Sequence, residues 1–193
     1  MHYLKKILKY FPNKFYSQKN LRSSSESLYK LIVWQARKEY FYTYAQIPDT
    51  QEGRLENIIL HLYIVFRRVS FKKGGQNEFS RALVEYLVDD LDNNLRELGV
   101  SDISVGKKVR DLIARFYGRC KTFDQALSDN DEESIKDALL NSVYKNQKNK
   151  IEKYSLNFMI GYFIECVKVL ESTDMSLLRE GVIKFPNPER LNV

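Results

Sequence analysis

Proline is scarce in this chain, and its absence sets the fold class. Only Pro12, Pro48, Pro186 and Pro188 occur in the 193 residues, so the stretch between 49 and 185 is free of the strongest helix breaker. Asn-Gly and Asp-Gly pairs, the usual marks of a tight β-hairpin, are missing as well. Cysteine is limited to Cys120 and Cys166, each within an apolar helical pattern. That excludes a disulfide framework and a zinc ligand set, and it fits a reducing compartment. Histidine is limited to His2 and His61. The longest near-continuous apolar run, Ile58 to Phe66, is interrupted by His61 and falls well short of the ~20 residues that span a bilayer. Lysines interrupt Leu4 to Phe11 where a secretory signal must be apolar. Gly106, Lys107 and Lys108 lack the spaced glycine of a phosphate-binding loop.

What remains is the composition of a folded protein, 44% hydrophobic and 29% charged, with 13 Tyr and 11 Phe to supply large buried areas. The length predicts one domain. The net charge of +6 is not evenly spread. Lys5, Lys6, Lys9, Lys14, Lys19 and Arg22 precede the first acid, Glu26, which leaves 25 residues of each sign in the rest. The basic pI therefore belongs to an N-terminal arm, and the neutral body shows no run in which aromatic and basic residues interleave, so no specific nucleic-acid partner is expected.

Apolar spacing is helical throughout, which predicts an all-α, single-domain bundle of about six to eight helices. They are placed near 3–11, 25–45, 50–70, 77–98, 104–127, 132–146 and 150–171, with a short one near 174–180. The expected organisation is a basic amphipathic arm over 1–24, a helical domain over 25–184 and an extended tail over 185–193. Gly99 reads as the residue that closes one helix, Ser104 as the cap of the next, and Asp49 with Glu52 as a capping box.

Four groups of residues are candidates for function. In the helix that follows Pro48, apolar side chains lie all round the axis, which predicts cover on both sides. Arg54, His61 and Arg68 run down one flank at intervals of seven. They are read either as groups pairing with neighbouring helices or as contacts to a client or partner. In the 77–98 helix, Phe79, Leu83, Tyr86, Leu87, Leu91, Leu95 and Leu98 form the expected core face. The run Asp89, Asp90, Asp92 on its other side is similar to the aspartate-rich motifs of all-α prenyl-transfer enzymes, but Asn93 stands where that pattern needs an acid. A solvated acidic face with Asp92 paired to Arg96 is the simpler account. In the 104–127 helix, Ala114, Gly118 and Thr122 recur opposite the core face, flanked by Tyr117 and Arg119. Glycine in an exposed helix costs ~1 kcal/mol against alanine, and a small-residue ridge admits a close helix. This ridge is the candidate client-docking face. In the arm, Leu4, Ile7, Leu8 and Phe11 oppose Lys5, Lys6 and Lys9, a pattern suited to an anionic membrane surface. No convergent catalytic set, metal site or cofactor motif emerges, so neither metal nor cofactor is expected.

Three blocks, PDTQEGRLENIILHLYIVFRR at 48–68, DDLDNNLRELGVSDISVGKKV at 89–109 and FYGRCKTFDQAL at 116–127, resemble the ubiquinol-cytochrome c chaperone family. Ser101 and Leu98 depart from that pattern, standing where a glycine and a methionine are expected. The resemblance implies a non-enzymatic factor that binds newly made cytochrome b during assembly of the respiratory bc1 complex. Mitochondrial members work with a small partner protein near the ribosomal exit, so a ribosome or small partner is a further candidate. The short N-terminal extension looks more like the bacterial form, which implies a cytoplasmic protein peripheral to the inner membrane; the alternative is the matrix side of the mitochondrial inner membrane. Two other classes stand beside this reading: a magnesium-dependent isoprenoid- or lipid-modifying enzyme built on Asp89, Asp90 and Asp92, and an RNA-binding protein anchored by its arm.

Overall fold

The computed structural model describes residues 18–70 and 78–191, with the side chains of 18–20 left aside. Eight α-helices follow one another among them: α1 (Gln18–Ala36), α2 (Tyr40–Thr43), α3 (Gln51–Ser70), α4 (Glu78–Glu97), α5 (Asp102–Asp129), α6 (Glu132–Leu140), α7 (Lys153–Ser172) and α8 (Met175–Arg179). A 3₁₀ turn at Pro188–Arg190 comes last. The described residues contain no strand, so the all-α expectation holds. The arm residues Leu4 to Phe11 and the expected helix at 3–11 lie outside the described residues.

Helix α3 is the axis of the bundle. It packs against α1, α4, α5 and α7, and every residue from Glu56 to Phe66 is buried. The all-round apolar pattern is thus explained by cover on all sides. Around it Tyr63 and Phe123 stack with ring centroids 5.2 Å apart, and Phe163 lies 5.1 Å from Phe123. The far ends of α4 and α5 extend past this core and share a smaller cluster of Val88, Leu95, Val105 and Val109.

Local hydrogen bonding decides where helices stop, and here the structure departs from the periodicity. The helix expected at 25–45 is two helices, because the Ala36 carbonyl accepts from the Tyr42 hydroxyl (2.7 Å) and from Asn57 Nδ2 (2.8 Å) instead of continuing the ladder. That first helix also starts at Gln18, inside the stretch assigned to the arm. The helix expected to reach 146 ends at Leu140, where the Ser142 hydroxyl takes the Ala138 carbonyl and Asn141 Nδ2 takes that of Asp137. Thr50, not Asp49, caps α3, its Oγ1 accepting from Gly53 N at 3.1 Å. Helix α5 starts at Asp102 behind Ser101, so Ser104 is not its cap. Gly99 does close α4: its φ of +74° allows Val100 N to reach the Leu95 carbonyl and Gly99 N that of Arg96, while Val100 packs near Leu95. Leu98, expected in the core, is 65% exposed because that turn swings it outward.

Candidate functional site

The candidate residues fall into three environments. The first is the interior. His61 is completely buried; its Nδ1–H donates to the Asn57 carbonyl at 2.8 Å, so Nε2 accepts from the Tyr162 hydroxyl at 2.8 Å. Gln35 Nε2 donates to that same Tyr162 oxygen (2.9 Å) and to the Pro186 carbonyl (3.0 Å). The rings of Phe41 and Phe185 meet the imidazole edge-on. One polar chain therefore ties α1, α3, α7 and the segment after Gly181 together, and burial pushes the imidazole down to about 4. A neutral, sequestered histidine does not reach a client at the surface, which corrects its placement in the recognition set.

The second environment is the seam between α3 and α5. Arg119 grips buried Glu56 through both arms, Nε to Oε2 and Nη2 to Oε1, each at 3.0 Å, and Arg115 reaches Glu52 at 2.6 Å. Farther along, Asp124 accepts from the Tyr63 hydroxyl (2.8 Å) and Arg67 (3.0 Å). Because the paired residues advance together, α3 and α5 run parallel, with α4 returning between them. Arg119 thus serves the α3 junction and is not a free cation on the outer face. Tyr117 packs its ring against Phe66 and Phe116. The other arginines are also engaged. Arg54 pairs with Asp49 (2.5 Å) over the Tyr42 ring, and Arg68 donates to the Leu170 (2.7 Å) and Thr173 (2.6 Å) carbonyls at the open end of α7. Of these two flank arginines, Arg54 finds a carboxylate and Arg68 is a helix cap.

The third environment is the outer side of α5, where Ala114, Gly118 and Thr122 are all exposed. The helix passes through FYGR without a break, and among the described residues nothing lies within 4 Å of where a Gly118 Cβ would stand. Neither a break nor packing within the described bundle accounts for that glycine. The sequence suggested this ridge, but the seam carboxylates Glu52 and Glu56 were missed. Their spacing of four, matched by Arg115 and Arg119, is the signal that points to them.

The acidic run of α4 is largely committed to pairs. Asp90 accepts from the Tyr29 hydroxyl (2.9 Å) and Asn94, and Asp92 from Arg96 (2.5 Å), which also binds Asp102. Among the described residues no three His, Cys, Asp or Glu side chains are gathered to hold a metal ion. Both cysteines are free and buried, and burial lifts Cys166 to about 12 and Cys120 higher still, which disfavours thiolate chemistry. No described helix is long and apolar enough to cross a membrane.

The fold defines the class as an all-α helical bundle, built around a central helix that buries Glu56, Asn57 and His61 among apolar side chains. The chain belongs to the ubiquinol-cytochrome C chaperone family, whose profile it matches over residues 43–185. It is similar to the Cbp3 homolog from Brucella abortus, a crystal structure that superposes with a TM-score of 0.76 at 27% identity over 91% of this chain and 95% of that one. This agrees with the bacterial form expected. It is also 21% identical over 171 residues to mouse ubiquinol-cytochrome c reductase complex assembly factor 1. That match covers 88% of this chain and 57% of the mouse protein.

Proposed function

We propose that this chain is a non-enzymatic assembly chaperone for ubiquinol-cytochrome c reductase, that its client is newly made cytochrome b, and that it works at the cytoplasmic face of the inner membrane. The observation that carries the role is the family match over 43–185, which runs from the last residue of α2 through α8 and into the segment that closes over His61. The docking face proposed for the client is the outer side of α5 around Ala114, Gly118 and Thr122. An exposed glycine in mid-helix is an uncompensated cost of ~1 kcal/mol unless a partner backbone comes close there. Tyr117 and Arg119 border that face while anchored to α3, so they would hold its edge rather than move to meet the client. The arm, with Lys5, Lys6 and Lys9 opposite Leu4, Ile7, Leu8 and Phe11, is proposed to keep the chaperone at the membrane surface.

The test is site-specific photo-crosslinking in native membranes with the reactive side chain at position 118 or 122, beside a control at exposed Asp137 on α6. Adducts with cytochrome b from 118 and 122 but not from 137 are expected. Equal adducts from all three positions, or from 137 alone, would remove this face from the proposal.

A further inference from the structure

The neutral body has no run of interleaved aromatic and basic residues, but the fold assembles such a surface from two distant segments. The turn between α6 and α7 and the first turn of α7 carry Lys145, Lys148, Lys150 and Lys153, all exposed, against one acid, Glu152, between residues 138 and 164. Tyr154 follows, 49% exposed, and its ring lies 5.3 Å from that of Tyr44, which is 40% exposed. Tyr44 in turn stacks on Tyr40 with centroids 4.7 Å apart and planes inclined by 25°. Phe158 supports both Tyr40 and Tyr44 edge-on from beneath.

This surface is held together by one strained residue. Gln46 has a φ of +55°, a region that non-glycine residues seldom adopt. In that conformation its side chain donates to the Tyr154 hydroxyl (3.1 Å) and accepts from Glu152 N (3.2 Å), while its carbonyl accepts from Gln147 Nε2. Ser155 Oγ binds the Tyr44 carbonyl at 2.8 Å and the Tyr144 hydroxyl that of Ala45 at 2.5 Å. The lysine turn and the tyrosine rings are therefore one rigid piece.

We infer that this piece is a platform for single-stranded RNA, with Tyr44 and Tyr154 offering ring faces to bases and Lys145, Lys148, Lys150 and Lys153 meeting the phosphates. Exposed aromatic faces beside clustered lysines are the combination that binds single strands without sequence preference. Exposed Asn146 and Asn149 add donors and acceptors suited to base edges and sugars. The charge also fits an anionic lipid surface, where tyrosine can sit at the headgroup level, but burial into the acyl boundary needs an apolar face, and Ile151, the apolar residue within the turn, is partly buried. The proposal is independent of the client face on α5.

The experiment is fluorescence anisotropy of the full chain with a labelled oligouridylate of about 12 nucleotides over a salt series from about 50 mM upward. Binding that weakens with salt is expected. Lys148→Gln with Lys150→Gln should reduce the slope of log K against log salt by about 1.4. Tyr154→Ser should weaken binding by at least about fivefold with the slope unchanged, and Tyr154→Trp, which keeps a ring, should retain it. The basic arm is intact in every variant, so equal binding by all of them would assign the RNA to the arm and overturn the platform. No binding by the parent chain at the lowest salt would overturn it too. Lysine-dependent binding to phosphatidylglycerol vesicles with no binding to RNA would replace it with a lipid surface.

Discussion

Alanine replacing Gly53 and alanine replacing Gly118 should move stability in opposite directions, although both glycines are helical. At Gly53 a Cβ would stand 2.0 Å from the Pro48 carbonyl oxygen and 3.2 Å from Pro48 Cβ. An oxygen of the backbone cannot rotate aside, so the first turn of α3 must shift by about 1 Å to restore van der Waals contact. Overpacking of this kind costs about 1–3 kcal/mol, with the upper end fitting a backbone clash. Disturbing the Thr50 cap adds about 1 kcal/mol, and the better helix propensity of alanine returns about 1. The net loss is about 2–3 kcal/mol. At Gly118 only the propensity gain of about 1 kcal/mol applies, since among the described residues nothing meets the new methyl. For a chain of this size each kcal/mol moves Tm by about 2–4 °C. Thermal unfolding followed by circular dichroism should therefore show Gly53→Ala lower by about 4–12 °C and Gly118→Ala higher by about 2–4 °C. A rise in both would refute the close approach of Pro48 to α3, and a fall in both would refute the open face at Gly118.

Three further outcomes follow from the interior. His61 has its folded-state value depressed from 6.5 to about 4 by burial, so its neutral form contributes stability that is complete above about pH 6.5 and is lost as pH falls toward 4. The full effect is about 3 kcal/mol; denaturant titrations should show a shallower acid decline for His61→Gln, and identical slopes would contradict the buried imidazole. Arg119→Met leaves the buried Glu56 carboxylate with only the longer 3.7 Å contact to Arg115 and should cost about 2–3 kcal/mol, more than Arg119→Met combined with Glu56→Leu; an additive double-mutant cycle would mean that the pair does not couple. A disulfide exchange reagent should label neither Cys120 nor Cys166 in the native chain and both in denaturant, whereas rapid native labelling would contradict their burial.

Particular residues explain what the sequence revealed. The 3.6-residue period and the lack of proline made the helices legible, and the all-round pattern of 58–66 announced a central helix. The split after Ala36 was not legible, because its cause is Asn57 reaching that carbonyl from another helix. The sequence left His61 between pairing and recognition, because its partner Tyr162 comes from another helix and is itself held by Gln35 of a third, a relation that periodicity does not encode. The α5 ridge was visible because all its members lie on one helix. Arg119 was misread because exposure was inferred without knowing that Glu56 lies across from it. The tyrosine and lysine surface was invisible for a similar reason: Tyr44 and Tyr154 meet only after α7 has returned to the loop that precedes α3.

The measurement that bears most directly on the assembly role is the membrane content of cytochrome b and the ubiquinol-cytochrome c reductase activity of the host after deletion of this chain. Loss of the spectroscopic cytochrome b signal and of the assembled complex, both restored by the parent chain and not by a folded Gly118→Leu variant, is the predicted result. Normal cytochrome b and normal reductase activity without the chain would contradict the role itself. Full restoration by Gly118→Leu would leave the role standing and remove α5 as the client's face.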